Sequence, residues 1–116
     1  MTKPVGPYTP IVRAGDFLVC SGQLGQLEGK LVEGGVVAQT AQAVANIASL
    51  LATQGASLAD VVKTSCFLAD MGDFARFNEA YVGAFGDSRP ARTTVAVAAL
   101  PLAAAVEIEA WAYKPR

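Results

Sequence analysis

The sequence predicts an α/β (α+β) chain of one domain, a mixed β-sheet with two helices packed on one face. Three observations carry that expectation. Short β-branched or alternating runs are separated by two longer stretches of helical periodicity, and glycine or proline punctuates the junctions. The resulting order, roughly ββ(β)αβαββ, interleaves helices with strands as one mixed sheet requires. No composition shift, repeat or linker divides the 116 residues, and a chain of that length buries roughly 65% of its unfolded surface.

Taken in order, "FLVCSG" (17–22) is a short apolar run closed by glycine, which reads as a buried strand. "GQLEGK" reads as a loop. It falls short of a phosphate loop, because Gly25 and Gly29 enclose three residues rather than four and Leu31 follows Lys30. In "VVAQTAQAVANIASLLATQG" (36–55), Val37, Ala41, Val44, Ala48 and Leu51 recur at helical spacing, widened by Ile47. Gln39, Gln42, Asn46 and Ser49 fall largely off that stripe, and Gly55 is placed to end the helix in a left-handed cap.

"DVVKTSCFLAD" (60–70) predicts a strand, and Asp73 then caps a second helix, "FARFNEAYVGAF" (74–85). Its aromatic stripe of Phe74, Phe77, Tyr81 and Phe85 reads as core, with Gly86 as the stop. Two strands finish the chain, "RTTVAVAAL" (92–100) and "AVEIEAWAY" (105–113). Period two puts Val106, Ile108, Ala110 and Ala112 on one face of the last strand, suited to lie under the helices. The other face holds Glu107, Glu109, Trp111 and Tyr113. Large aromatics beside carboxylates predict cover by another subunit.

Composition removes several functions. With 9 basic and 10 acidic residues and no basic cluster, the footprint of a nucleic-acid binder is missing. No apolar run is long enough for a bilayer span, and "MTKPVGPYTP" has no signal-peptide core, so a soluble cytoplasmic protein is expected. Cys20 and Cys66 lie in apolar runs and read as buried reduced thiols. The chain has no histidine, which excludes Ser-His-Asp and Cys-His nucleophile systems and makes a zinc site improbable. Acid–base work at neutral pH falls to carboxylate, Lys, Tyr, Cys or water.

Arg92 stands at the mouth of an apolar strand in a chain with only 16% charged residues. On the residues alone it is either a structural salt bridge, with Glu109 a candidate partner, or an anchor for an anionic ligand. Five segments bear on that choice: "GPY" (6–8), "SGQ" (21–23), "VVKTSCFLADMGDFARFNEAY" (61–81), "PART" (90–93) and "VEIEAWA" (106–112). In order and spacing, over nearly the whole chain, they resemble the Rid (YjgF, L-PSP) family.

The resemblance implies a chorismate-mutase-like fold and a homotrimer with a cleft at each subunit interface. It implies hydrolysis of reactive imines, formed from enamines such as 2-aminoacrylate, to 2-oxo acids and ammonia, with neither metal nor organic cofactor. Arg92 matches the family arginine in its "PAR-S/T" setting, and a guanidinium grips a carboxylate bidentately where an ammonium is a point charge. Glu107 matches the glutamate that orients or deprotonates water. Tyr8, Ser21, Gly22, Thr94 and Asn78 fall on family positions that line the site. Each has a plainer alternative: turn chemistry for Tyr8 and Ser21, a tight turn for Gly22, an exposed helix position for Asn78. At Thr94 the resemblance implies that backbone groups bind the ligand. Glu109 is left structural. Where family members carry charges in "VEVARLPK", this chain has Ala96, Ala99 and Leu102 in "VAVAALPL" (95–102), which bears on substrate range. Two other functions remain open, a non-catalytic trimer that binds 2-oxo acids and, against the charge balance, an endoribonuclease.

Overall fold

The computed structural model of the chain describes Pro4 and residues 6–116. A five-stranded sheet runs in the order β1-β2-β7-β5-β6. Its strands are β1 (Ile11–Ala14), β2 (Phe17–Leu24), β5 (Val61–Leu68), β6 (Ala91–Ala96) and β7 (Val106–Tyr113). All neighbours pair antiparallel except β5 and β6, which are parallel and joined through α2 (Phe74–Phe85). The other helix, α1 (Gly35–Ala52), follows a small hairpin of β3 (Gln26–Leu27) and β4 (Lys30–Leu31). The fold is a mixed α+β sheet with both helices on one face, as the strand and helix pattern predicts.

The hairpin lies where a loop is expected. Glu28 and Gly29 both take positive φ, 54° and 82°, the geometry of a type I′ turn whose twist suits a two-residue hairpin. β6 stops at Ala96, short of the expected Leu100. It is an edge strand, and its one partner β5 ends at Leu68, opposite Ala96.

α1 forms where periodicity places it, but on a different phase. The buried residues are Val36, Gln39, Thr40, Ala43, Val44, Asn46, Ile47, Leu50 and Leu51, while Val37 is exposed and Ala41 faces solvent. Two amides on the buried face hold backbone. Asn46 Nδ2 donates to the carbonyls of Leu24 and Gln26 at 3.1 and 2.9 Å, and Gln42 Nε2 donates to Asn46 Oδ1 at 2.9 Å. Gln39 Oε1 accepts from the Ala105 N–H at 2.8 Å. Gly25, between the two carbonyls that Asn46 holds, packs so close that a Cβ there would lie 2.4 Å from Gln39 Cα. Any larger residue would push β2 off the helix. By length and apolarity α1 also meets the measure of a membrane-crossing helix, but half of it is buried inside the domain, where it packs against α2, β2 and β7.

α1 gives way to a turn after Ala52, with Gly55 at φ 72° and the Ala56 N–H closing onto the Leu51 carbonyl at 3.0 Å. At the start of α2, the Asp73 carboxylate makes no cap bond and pairs with Arg76. The capping carboxylate is Asp70, which accepts from the Gly72 N–H at 2.8 Å and closes the 3₁₀ turn before the helix. Phe77, Tyr81 and Phe85 of the aromatic stripe join the core with Leu18, Ile47, Leu68 and Ile108, while Phe74 stays at the surface. Cys20 and Cys66 are free and buried; burial pushes the Cys20 thiol up to about 11, so it stays protonated and unreactive.

On β7 the alternation is as the sequence implies. Val106, Ile108, Ala110 and Ala112 are fully buried beneath the helices. On the open face, Trp111 and Tyr113 remain 43% and 46% exposed, with Phe17 edge-on to both rings at 6.1 and 5.3 Å.

Candidate active site

A cleft of about 320 Å³ opens on the helix-free face. It exists because β2 carries a bulge. Cys20 pairs with Ala110 and Gln23 with Ile108, so three steps along β2 oppose two along β7 and the Ser21–Gly22 pair has one residue too many. Such a bulge bends the strand and re-aims side chains. Here it draws Ser21 and Gly22 into the wall together with Tyr8, Pro101, Glu107 and Glu109.

Gly22 serves Glu107. A Cβ at position 22 would lie 2.8 Å from Glu107 Cδ and 3.0 Å from its Cγ, so the glutamate side chain lies flat on the glycine backbone. Ser21 is turned to the chain before it: its hydroxyl donates to the Thr9 carbonyl at 2.7 Å and its N–H to the Pro10 carbonyl at 2.8 Å. That pair of bonds fixes the segment carrying Tyr8 at the rim. On the far side, the turn bearing Pro101 runs left-handed at Leu102 and Ala103, φ 59° and 55°. Two non-glycine residues there cost about 1–2 kcal/mol each, and the Gln39–Ala105 bond pins the end of that turn.

The Glu107 carboxyl is held above the usual carboxylate range, first by burial and second by the charge of Glu109. A carboxyl raised in this way can both take and return a proton nearer neutrality. Gly22→Ala tests the fit. The atoms in the way are the end of a flexible side chain, so the fold should survive with a stability change within about 0.5 kcal/mol. The displaced carboxylate should cost about 10²-fold in turnover. Native turnover in a folded Gly22→Ala protein would show that the position of Glu107 is immaterial.

Arg92 is elsewhere. Its register partner is Thr64, which pairs with Ala110 on the helix-covered face; Glu107 pairs with Phe67, which pairs with Val95, on the open face. Two strand spacings, about 10 Å, and the sheet itself lie between them. Among the described residues no carboxylate pairs with Arg92, so the salt bridge to Glu109 does not form. The guanidinium instead lies over the rings of Tyr81, Phe77 and Phe74 at 5.0, 5.3 and 5.8 Å. Those residues are spaced i, i+3, i+7 on one side of α2, which aligns their rings. The Tyr81 hydroxyl shares a 2.7 Å hydrogen bond with Thr64 and is pushed up by burial. Aromatic faces attract the cation without occupying its N–H fork.

Thr94 lies two residues along on the same side as Arg92, and its buried hydroxyl has no partner in hydrogen-bond geometry. Asn78, on α2 beside Phe77, also has a buried carbonyl oxygen without a partner; it is half-buried rather than an exposed helix position. The proposed residues thus fall into two groups on opposite faces, Tyr8, Ser21, Gly22 and Glu107 on one and Arg92, Thr94 and Asn78 on the other.

The sequence profile of the family described as Endoribonuclease L-PSP matches residues 1–114. The chain belongs to the Rid (YjgF, L-PSP) family. Among its Rid relatives, a RutC family protein of Pyrococcus horikoshii is 46% identical over 97% of this chain and 90% of its own length. The 2-iminobutanoate/2-iminopropanoate deaminase of Mus musculus is 44% identical over 91% and 80%. The crystal structure of RidA from the Antarctic bacterium Psychrobacter sp. superposes with a TM-score of 0.91 at 42% identity, covering 96% of this chain and 91% of that one. Within this Rid chain, Glu109 and Pro101 are cleft residues that sequence reasoning misses. Alternation puts Glu109 on the same face as Glu107, but only the bulge in β2 shows that both border one cavity.

Proposed function

We propose that the protein hydrolyses 2-imino acids of the 2-aminoacrylate type to 2-oxo acids and ammonia, in the cytoplasm, within a homotrimer whose clefts are shared between copies. The observation that carries this reading is the half-buried Arg92 guanidinium, laid over three rings with no carboxylate partner among the described residues. An orphan cation held with its fork open suits a substrate carboxylate. Since Glu107 lies across the sheet, Arg92 has to come from a neighbouring copy for both to meet one small substrate. The open face favours such contact. Covering the exposed parts of Phe17, Trp111 and Tyr113 would remove roughly 200 Å² from water, about 5 kcal/mol per subunit before association costs.

In this cleft the Arg92 fork fixes the carboxylate and Glu107 takes a proton from water as its oxygen bonds to the protonated imine carbon. The π pair of the C=N bond moves to nitrogen, giving the carbinolamine. Collapse then breaks the C–N bond: the nitrogen takes the proton held by Glu107 and leaves as ammonia, while the hydroxyl gives its proton to the vacated Glu107 carboxylate, which passes it to solvent, and becomes the carbonyl. Tyr8 closes the rim. Such a mechanism needs no group beyond these side chains and water.

A dehydratase that generates 2-aminoacrylate, coupled to pyruvate detection, tests the activity. Pyruvate should form faster with the protein than without it, and an unchanged rate would reject the deaminase. Light scattering tests assembly, with three times the 12.0 kDa chain mass expected and a monomer mass the opposing result. Shared sites predict complementation as well. Arg92→Ala and Glu107→Gln chains, each inactive alone, should regain roughly a quarter of the sites when refolded together in equal amounts. No recovery would mean each copy builds its own site.

A further inference from the structure

Glu109 projects into the same cleft as Glu107, two residues along β7 and about 7 Å away at the backbone. It has no ion-pair partner among the described residues. Its neighbours across the sheet are Ser65 of β5 and the Ser21–Gly22 bulge of β2, none of which carries charge. Lys63, the cation that β5 presents on this face beside Trp111, gives its ammonium to Thr93 Oγ1 at 2.8 Å. Glu107 is hemmed in by the Gly22 backbone, with Tyr8 at the rim and Phe67 opposite on β5. Two carboxylates therefore share one small cavity, and neither forms an ion pair with a described residue.

We propose that Glu109 acts through Glu107, as the fixed charge that keeps a proton available on its neighbour and so lets one carboxyl serve as base in the first half of the reaction and acid in the second. The inference rests on the deaminase reading for its use of the proton, but not for the coupling itself. Unlike charges at this spacing would both stay ionised; like charges cannot do so at equal ease. The raised titration of Glu107, with Glu109 its second cause after burial, agrees in sign. In the assembled cleft, Arg92 of a neighbouring copy would pull the other way, so the carboxylate pair offsets the cation that anchors the substrate.

The test is a carboxyl-carbon NMR titration of Glu107 in the native trimer and in Glu109→Gln and Glu109→Asp. Glu109→Gln should lower the Glu107 midpoint by about half a pH unit or more, and Glu109→Asp should hold it near the native value. The acid limb of the kcat profile should move down in pH by the same amount in Glu109→Gln, which a merely structural role would not produce. A Glu107 midpoint that stays in place in a folded Glu109→Gln protein overturns the inference. Because the titration needs no turnover, a protein without deaminase activity would reject the functional reading while the midpoint still decides this one.

Discussion

Arg92→Ala is expected to abolish practical deaminase activity, by 30- to 5,000-fold, and to weaken 2-oxo acid binding. The range is what truncating one partner of a desolvated charge pair typically costs, about 2–5 kcal/mol. Arg92→Lys separates the explanations. An ammonium can still sit over Tyr81, Phe77 and Phe74, because ring faces attract either cation. Charge, packing and assembly should therefore persist. The ammonium cannot hold both carboxylate oxygens in plane, so activity should fall at least about tenfold, the equivalent of roughly 1.4 kcal/mol. Near-native turnover in the Lys variant would show that only the charge matters and that Arg92 is not a fork.

Glu107→Gln should slow turnover by about 10²–10⁴-fold, the usual range for acid–base groups, while leaving 2-oxo acid binding intact. Glutamine matches the glutamate in shape and can lie on Gly22 as the native side chain does. It can neither accept the proton from water nor return it to nitrogen. The pH profile gives the sign. Because the Glu107 carboxyl is raised by burial and by Glu109, the native rate should fall as the pH drops through that raised value, above the range of an ordinary glutamate. Glu107→Gln should erase that limb. Glu109→Gln should shift it and cost much less at neutral pH; equal losses from the two would mean the strand face is misread.

How much was legible in advance depended on whether polarity and position agreed. β7 alternates without ambiguity, so its two faces follow from the residues alone. α1 does not, because Gln39, Thr40 and Asn46 face the core, and hydropathy turns them outward. The helix was visible; its phase needed the backbone groups those amides satisfy. The hairpin at Gln26–Leu31 was hidden for a related reason, as its strands are two residues each and the Glu28–Gly29 turn is its main signal. Arg92 and Glu107 were recognisable one by one. That they lie on opposite faces was not, since each strand shows its own alternation but not its register with strands two places away.

The amides of α1 have one more consequence. Asn46 grips Leu24 and Gln26 at the end of the strand that carries Gly22, and Gln39 grips Ala105 just before the strand that carries Glu107. The two jaws of the cleft are thus set to a common gauge by a helix on the opposite side of the sheet, which contributes no side chain to the cavity. Heat or substitution that loosens this spacer acts on the gap from behind. Because Ala43, Val44 and Ile47 of that same helix are core residues, the width of the cleft is only as durable as the packing of the helix behind it.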